Sequence, residues 1–407
     1  MNETRQRAIL LAADTGQWDC DTSLSELRAL CDTAGADVVA EVVQQLPKLH
    51  SATYVGSGKV LEVKDLAERL QADIIVVDDA LSGVQTRNLE DAIGVAVIDR
   101  TVLILDIFAQ SARTAEGKLQ VELAQLEYRL PRLMGMGGAL SQQGAGIGTR
   151  GPGEPKLEND RRHIRSRIRA LKERIAEMEA HREVTRQKRK KSGVPVVALV
   201  GYTNVGKSTL LNKLTGAEVL AEDKLFATLD PTARKLEVGN LQQVVLVDTV
   251  GFVSRLPHGL VAAFRSTLAE AKYADLILQV ADASDDAWVQ QLEVTREVLL
   301  ELGCSDTPMI TVFNKCDKID TAAALPGIAV SAYTGEGLDK LLEAISDKLS
   351  ERVVRAQLLF PYTEAGLAAP LRQRGNVISE EYREDGLLIE ATVERAMWPR
   401  YERFVLQ

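Results

Sequence analysis

A lysine and a serine closing a glycine-bounded loop are suited to holding phosphate, and this pairing organises the chemistry of the chain. Val196–Val200 reads as a buried strand. Gly201-Tyr202-Thr203-Asn204-Val205-Gly206-Lys207-Ser208 follows, and Thr209–Lys213 continues as a helix. The stretch matches GxxxxGK[ST] with a strand before it and a helix after it. Glycines let backbone N–H groups curl round an anion, and the helix presents its positive N-terminus to it. Lys207 is placed to reach the β- and γ-phosphates, and Ser208 offers a hydroxyl to Mg²⁺.

Companion residues follow in order. Leu246-Val247-Asp248-Thr249-Val250-Gly251 puts a carboxylate at the end of an apolar strand. Asp248 would hold Mg²⁺ through water, and the Gly251 N–H would meet the γ-phosphate. Asn314-Lys315-Cys316-Asp317 is an NKxD motif. Asp317 can accept hydrogen bonds from guanine N1–H and the exocyclic amine, which adenine lacks; such paired polar contacts discriminate by about 10⁴–10⁵-fold. Lys315 would lie over the base, Asn314 would tie this loop to the phosphate loop, and Val330-Ser331-Ala332 would bring a backbone N–H to guanine O6. Thr228 is the candidate switch threonine completing the Mg²⁺ shell, with Thr232 the alternative. Together these residues predict a guanine-nucleotide domain with a mixed, Ras-like sheet, in which Lys207, Thr228 and Gly251 act at the reacting phosphate.

Phe252 stands where Ras-type proteins place the glutamine that orients the attacking water. Slow intrinsic hydrolysis with outside activation is therefore expected, or Phe252 is an ordinary anchor of the switch loop; either way it moves no proton. Asn204 raises K⁺ as a candidate second cation, since an asparagine here also occurs in GTPases that bind K⁺ beside the phosphates.

Several elements must surround this centre. Ala8–Ala12, Ile74–Val77 and Val95–Ile98 read as short buried strands, with a capped helix over Ser82–Leu89 between the last two. This alternation predicts an N-terminal α/β domain, residues 1–108, with a mostly parallel sheet. Leucines at 119, 123, 126, 130 and 133 mark one helix, which Pro131 should kink or end. Apolar residues at 157, 164, 168, 171, 175 and 178 mark a second. The two predict a helical hairpin over residues 109–191. Its connecting loop, GMGGALSQQGAGIGTRGPG, is either a linker between the two helices or a functional tip that threads into a crowded site where only Cα hydrogens fit. The nucleotide domain should occupy 192–350. A small α+β segment, 351–407, contains strands at Val353–Leu359 and Gly386–Val393 and should lean on its neighbour.

Charge sharpens this plan. The chain of 407 residues carries a net charge of -9, yet residues 150–191 hold 15 Lys/Arg against 7 Asp/Glu. Arg161, Arg162, Arg165 and Arg169 fall at helical spacing, and such a face attracts the phosphates of RNA with strong salt dependence. No apolar run reaches the 18 residues of a membrane span. The first residues lack a signal-peptide core. The four cysteines show neither disulfide density nor metal-ligand spacing. A cytoplasmic protein is expected, and weak membrane association has no visible signal. Gly56-Ser57-Gly58-Lys59 mimics a second phosphate loop, but Thr53 replaces its first glycine and Val60 its Ser/Thr. It reads as a turn opening the helix Val60–Leu70, with a second nucleotide site left open.

The loop GIGTRGPGEPKLE (Gly146–Glu158), GYTNVGKST, FATLDPT, DTVGF and NKCD, in this order behind an α/β domain and a hairpin, resemble the HflX family of translational GTPases. The resemblance covers most of the chain and is weakest after Ser350. It implies GTP/GDP and Mg²⁺ as ligands and the large ribosomal subunit as partner. It implies a GTP-bound state that splits stalled or idle ribosomes, ribosome-stimulated hydrolysis, and a link to stress. It also implies that the hairpin tip approaches RNA near the peptidyl-transferase region. Gly146, Gly148, Arg150, Gly151, Gly153, Arg161, Arg162 and Arg165 are the candidate RNA contacts. No DNA partner is expected, and nothing requires more than a monomer. The alternative is a GTP-dependent binding module for a protein partner that never touches ribosomal RNA.

Overall fold

The computed structural model describes residues 5–141, 153–191, 194–216, 225–226, 232–238, 242–255, 270–320, 324–351, 353–373 and 377–406. Thr228, Gly146, Gly148, Arg150 and Gly151 lie outside the described residues. The chain forms two compact units. One comprises Met1–Ala176, Glu222–Asp230 and Val253–Arg265; the other comprises Glu177–Ala221, Pro231–Phe252 and Ser266–Gln407.

In the first unit, strands β1 (Gln6–Asp14), β2 (Ala36–Gln45), β3 (Ile74–Val77) and β4 (Ala96–Asp99) form a sheet in the order β2-β1-β3-β4. Every pairing is parallel. β2 had no strong signal in the sequence, because it is an edge strand with much of its surface exposed. Helices α1 (Cys20–Ala34), α2 (Ser57–Leu70), α3 (Gly83–Ile93) and α4 (Arg100–Ser111) connect and follow the strands. Ser82 and Gln85 form a reciprocal capping box that starts α3. Ser57 opens α2, three residues before the expected start at Val60. Gly56 caps it and gives its N–H to Gln44 Oε1 at 2.8 Å, while Lys59 pairs with Glu62 on the same helix at 2.7 Å.

Helices α5 (Ala115–Ser141) and α6 (Gly153–Lys191) follow. Pro131 does not end α5, which continues to Ser141. An internal proline costs about 3 kcal/mol, and fixed contacts next to it offset this. Arg132 donates to the carbonyls of Tyr128 (2.9 Å) and Leu81 (2.6 Å) and pairs with Asp99 (3.1 Å). Leu133 of α5 meets Arg161 of α6, whereas Glu122 meets Arg167, so the helices run antiparallel. Leu171 is the buried centre of the α6 stripe; Ile164, Ile168, Ile175 and Met178 are half-buried.

At the carboxyl ends of β3 and β4 lies a buried ionic network. Arg100 Nη1 donates to Asp78 Oδ1 at 2.8 Å, and Arg255 Nη1 donates to Asp78 Oδ2 at 2.7 Å. Ser23 Oγ adds a bond to Asp78 at 2.6 Å. Glu26 binds Arg100 and Ser254, Asp79 also holds Arg255, and the Arg255 guanidinium stacks on Trp18. Phe226, with its backbone in the left-handed region, packs edge-on against Phe108.

In the second unit, β5 (Val196–Gly201), β6 (Thr232–Val238), β7 (Gln242–Asp248), β8 (Leu276–Asp282), β9 (Met309–Asn314) and β10 (Ile328–Ala329) form the sheet β10-β9-β8-β5-β7-β6. Only β6–β7 is antiparallel, so the sheet is mixed, as expected. β5, wholly buried, runs directly into the phosphate loop and α7 (Lys207–Thr215). Helices α8 (Trp288–Glu301) and α9 (Leu338–Ser350) belong to the same layer system. Three antiparallel strands, β11 (Val353–Phe360), β12 (Val377–Arg383) and β13 (Gly386–Glu394), follow in the order β11-β13-β12. They close a core of their own around Leu358, Phe360, Leu387, Ile389, Tyr401 and Phe404, rather than only leaning on a neighbour.

Removing one partner of a buried ion pair leaves the others desolvated and uncompensated. Asp78→Ala should therefore lower unfolding stability by about 3–5 kcal/mol, measured by denaturant melts against wild type.

Candidate nucleotide site

The phosphate loop is built on close backbone contacts. A β-carbon on Gly201 would stand 2.2 Å from the Val280 carbonyl oxygen. Gly206 has φ 86° and caps the N-terminus of α7; a β-carbon there would meet Asn314 Nδ2 at 2.3 Å. Only glycine satisfies both demands. Asn204 takes a left-handed conformation at the exposed turn of the loop. Tyr202 and Val205 lie between these turns, and exposed Thr209 follows Ser208 in the first turn of α7.

Lys207 is buried and folds back over the loop. Its ammonium donates to the carbonyls of Gly201 (3.1 Å) and Tyr202 (2.7 Å). Burial pushes its pKa down to about 8, with the charge of Asp248 acting in the opposite direction. A lysine desolvated this far gains from any anion that enters the loop. Ser208 Oγ donates to Asp248 Oδ2 at 2.6 Å, bringing together the hydroxyl and carboxylate singled out for a cation. Thr232, the alternative switch threonine, opens β6 and pairs in register with Asp248.

Gly251 packs so tightly that a β-carbon would lie 2.7 Å from Thr203 Cα and 3.0 Å from Lys207 Nζ. Phe252 is buried and anchors the loop through its backbone. Its N–H donates to Gly201 O at 3.1 Å, and its carbonyl accepts from Thr203 N–H at 2.7 Å. Of its two readings, the anchor is the one with visible contacts.

The base-side motif is clamped to the phosphate loop. Asn314 Nδ2 donates to Val205 O at 2.9 Å, and Asn314 Oδ1 accepts from Ala332 N–H at 2.9 Å. Lys315 Nζ donates to Asn204 O at 2.8 Å. Ser331 Oγ donates to Asp317 Oδ1 at 2.6 Å. Within Val330-Ser331-Ala332, the Ala332 N–H is engaged by this clamp. Asp282 is a member that sequence reasoning missed. It pairs with Lys315 at 2.7 Å and accepts two bonds from Ser284. Burial pushes Asp282 up, but the bonds from Lys315 and Ser284 outweigh it and hold the carboxyl below its usual range. Its only signal in the sequence was a carboxylate at the end of an apolar strand.

On α6, Arg161 donates to the Leu133 carbonyl at 2.9 Å and so closes the hairpin. Arg162 and Arg165 are exposed, and Arg165 lies 3.7 Å from Glu158. Gly153 is the first residue of α6. Among the described residues no group of three or more His, Cys, Asp or Glu could hold a metal ion, and no helix is long and apolar enough to cross a membrane.

Four family models match successive parts of the chain. They are GTP-binding GTPase N-terminal over residues 21–109, GTP-binding GTPase Middle Region over 111–189, 50S ribosome-binding GTPase over 196–315, and HflX C-terminal domain over 317–396. The GTPase HflX of Caldanaerobacter subterraneus subsp. tengcongensis is 51% identical over 404 residues, covering 99% of this chain and 94% of its own. The GTPase HflX of Escherichia coli (strain K12) is 43% identical over 372 residues, covering 89% and 87%. Among solved structures, the SsGBP–GDP complex aligns with 85% of this chain and 99% of its own, at 25% identity and a TM-score of 0.48.

The depressed Lys207 pKa gives a signed prediction. Above pH 8 the free protein has released this proton, and a phosphate entering the loop restores it. Nucleotide binding should therefore take up protons between about 8 and the ordinary lysine value of 10.5, and should weaken as pH rises through that window. Calorimetric titration at pH 8.5 in two buffers of different ionisation enthalpy measures the uptake, and Lys207→Arg should abolish it.

Proposed function

This chain belongs to the HflX family of GTPases and is a GTP hydrolase, and on that premise we propose that it acts on ribosomes, its GTP-bound state separating stalled or idle ones into subunits. The observation that carries the ribosome reading is the cationic face of α6, with Arg162, Arg165 and Arg169 exposed on a hairpin of an otherwise acidic chain. Such a face is drawn to RNA phosphate. The family model over the nucleotide domain, described as a 50S ribosome-binding GTPase, supports the large subunit as partner. The tip loop, including Gly146, Gly148, Arg150, Gly151 and Gly153, makes the RNA contact near the peptidyl-transferase region. The protein works as a cytoplasmic monomer under stress.

In the nucleotide site each residue has one task. The loop amides and Lys207 hold the β- and γ-phosphates, and Gly251 N–H caps the γ-phosphate. Asp317 reads guanine through the carboxylate oxygen that Ser331 leaves available. Lys315, fixed between Asn204 and Asp282, lies along the base. Mg²⁺ fits the donor set: Ser208 and Asp248 are hard oxygen ligands, already 2.6 Å apart. They would hold it with Thr228, and it would neutralise charge developing on the phosphates. Asn204, at the exposed turn of the loop, would hold K⁺ as a further cation beside the phosphates. Because Phe252 cannot orient water, the intrinsic rate is slow and the ribosome supplies what is missing.

The test is GTP turnover with and without purified large subunits, beside Lys207→Ala. A large rise for wild type and none for the variant is expected. A parallel sedimentation assay should show the subunit-bound fraction falling steeply as salt rises. Normal GTP binding without any ribosome-dependent rise would move the protein-partner reading to first place.

A further inference from the structure

Thr203 carries a feature that phosphate-loop backbone chemistry does not require. It is only 6% exposed, and its hydroxyl oxygen is sealed from solvent without a hydrogen-bond partner in the protein. Buried hydroxyls are nearly always paired, and leaving one unpaired is costly. Valine would fill the same volume without that cost. The hydroxyl is therefore a group whose partner arrives from outside.

The surroundings indicate which partner. Thr203 is held from one side by the bond from its N–H to Phe252 O at 2.7 Å. Its methyl group and Cα pack against Gly251, within 2.8 Å and 2.7 Å of where a β-carbon would stand, and Lys207 Nζ reaches the same point at 3.0 Å. Thr203, Gly251 and Lys207 thus converge on one place. The latter two are the groups that address the terminal phosphate in the nucleotide reading of the loop.

We propose that the Thr203 hydroxyl donates a hydrogen bond to a γ-phosphate oxygen of GTP and so lets the loop distinguish the triphosphate from the diphosphate. This rests on the nucleotide reading of the loop and adds a side chain to it. The donor also gives the site a fixed polar group on the γ-phosphate, where Phe252 provides none. GDP has no oxygen at that position and leaves the hydroxyl as it is in the free protein.

Equilibrium binding of fluorescent GDP and of the non-hydrolysable analogue GMPPNP to the full chain, with Mg²⁺ present, tests this. Thr203→Val should weaken GMPPNP about tenfold or more, as expected for a bond to a charged acceptor, and leave GDP within about twofold. Thr203→Ser should restore GMPPNP binding. The nucleotide-free Val variant should melt no lower than wild type, because it loses only an unpaired group. An equal loss for both nucleotides, no loss for either, a Ser variant that behaves like Val, or a lower melting point would each overturn the proposal. A wild-type chain that binds neither nucleotide would instead overturn the loop assignment itself.

Discussion

A phosphate loop must keep its amides turned inward for an anion that the bare protein does not supply. Left alone, such a loop would collapse onto its own donors. The structure prevents this by engaging its outward-facing carbonyls. Lys207 holds those of Gly201 and Tyr202, Lys315 holds that of Asn204, and Asn314 holds that of Val205. Four of the five carbonyls from Gly201 to Val205 are thereby bound to side chains, all but that of Thr203. The positions of β5, β8 and β9, and the glycines at 201 and 206, follow from the need to bring those side chains this close.

The parts legible in the sequence were those with strong local signals. A wholly apolar strand ending in glycine, a lysine–serine pair and an NKxD run each fit within a few residues, so their element types and the mixed sheet could be read directly. The edge strands β2 and β12 were harder. Half-solvated or polar along much of their length, they carry little periodicity to distinguish them from loops. Asp282 was missed because its importance is non-local: it lies 2.7 Å from Lys315 only after β8 and β9 pair. Pro131 does not end α5, and the bonds of Arg132 beside it reach Leu81 and Asp99 far back in the chain, beyond what a local pattern can show.

The first unit solves a different electrostatic problem. Two guanidinium groups, of Arg100 and Arg255, share the carboxylate of Asp78, which is itself only 3% exposed. Desolvating such charges is tolerable only when every lone pair is used. Ser23, Glu26 and Asp79 add further partners to these charges. The residues immediately after Phe252 are thus members of this network, bound by charge as well as by packing. Phe226 joins the same unit by an aromatic contact instead.

The double role of Asn314 bears on how a nucleotide would leave. One carboxamide binds the phosphate loop with its nitrogen and the Ser331–Ala332 turn with its oxygen. The grips on the base and on the phosphates are therefore mechanically in series and do not open independently. Displacing either loop disturbs the side chain that anchors the other, so the two sides of the site are coupled through one carboxamide. Whatever moved the base-side loop would therefore be felt at the phosphate loop without touching it.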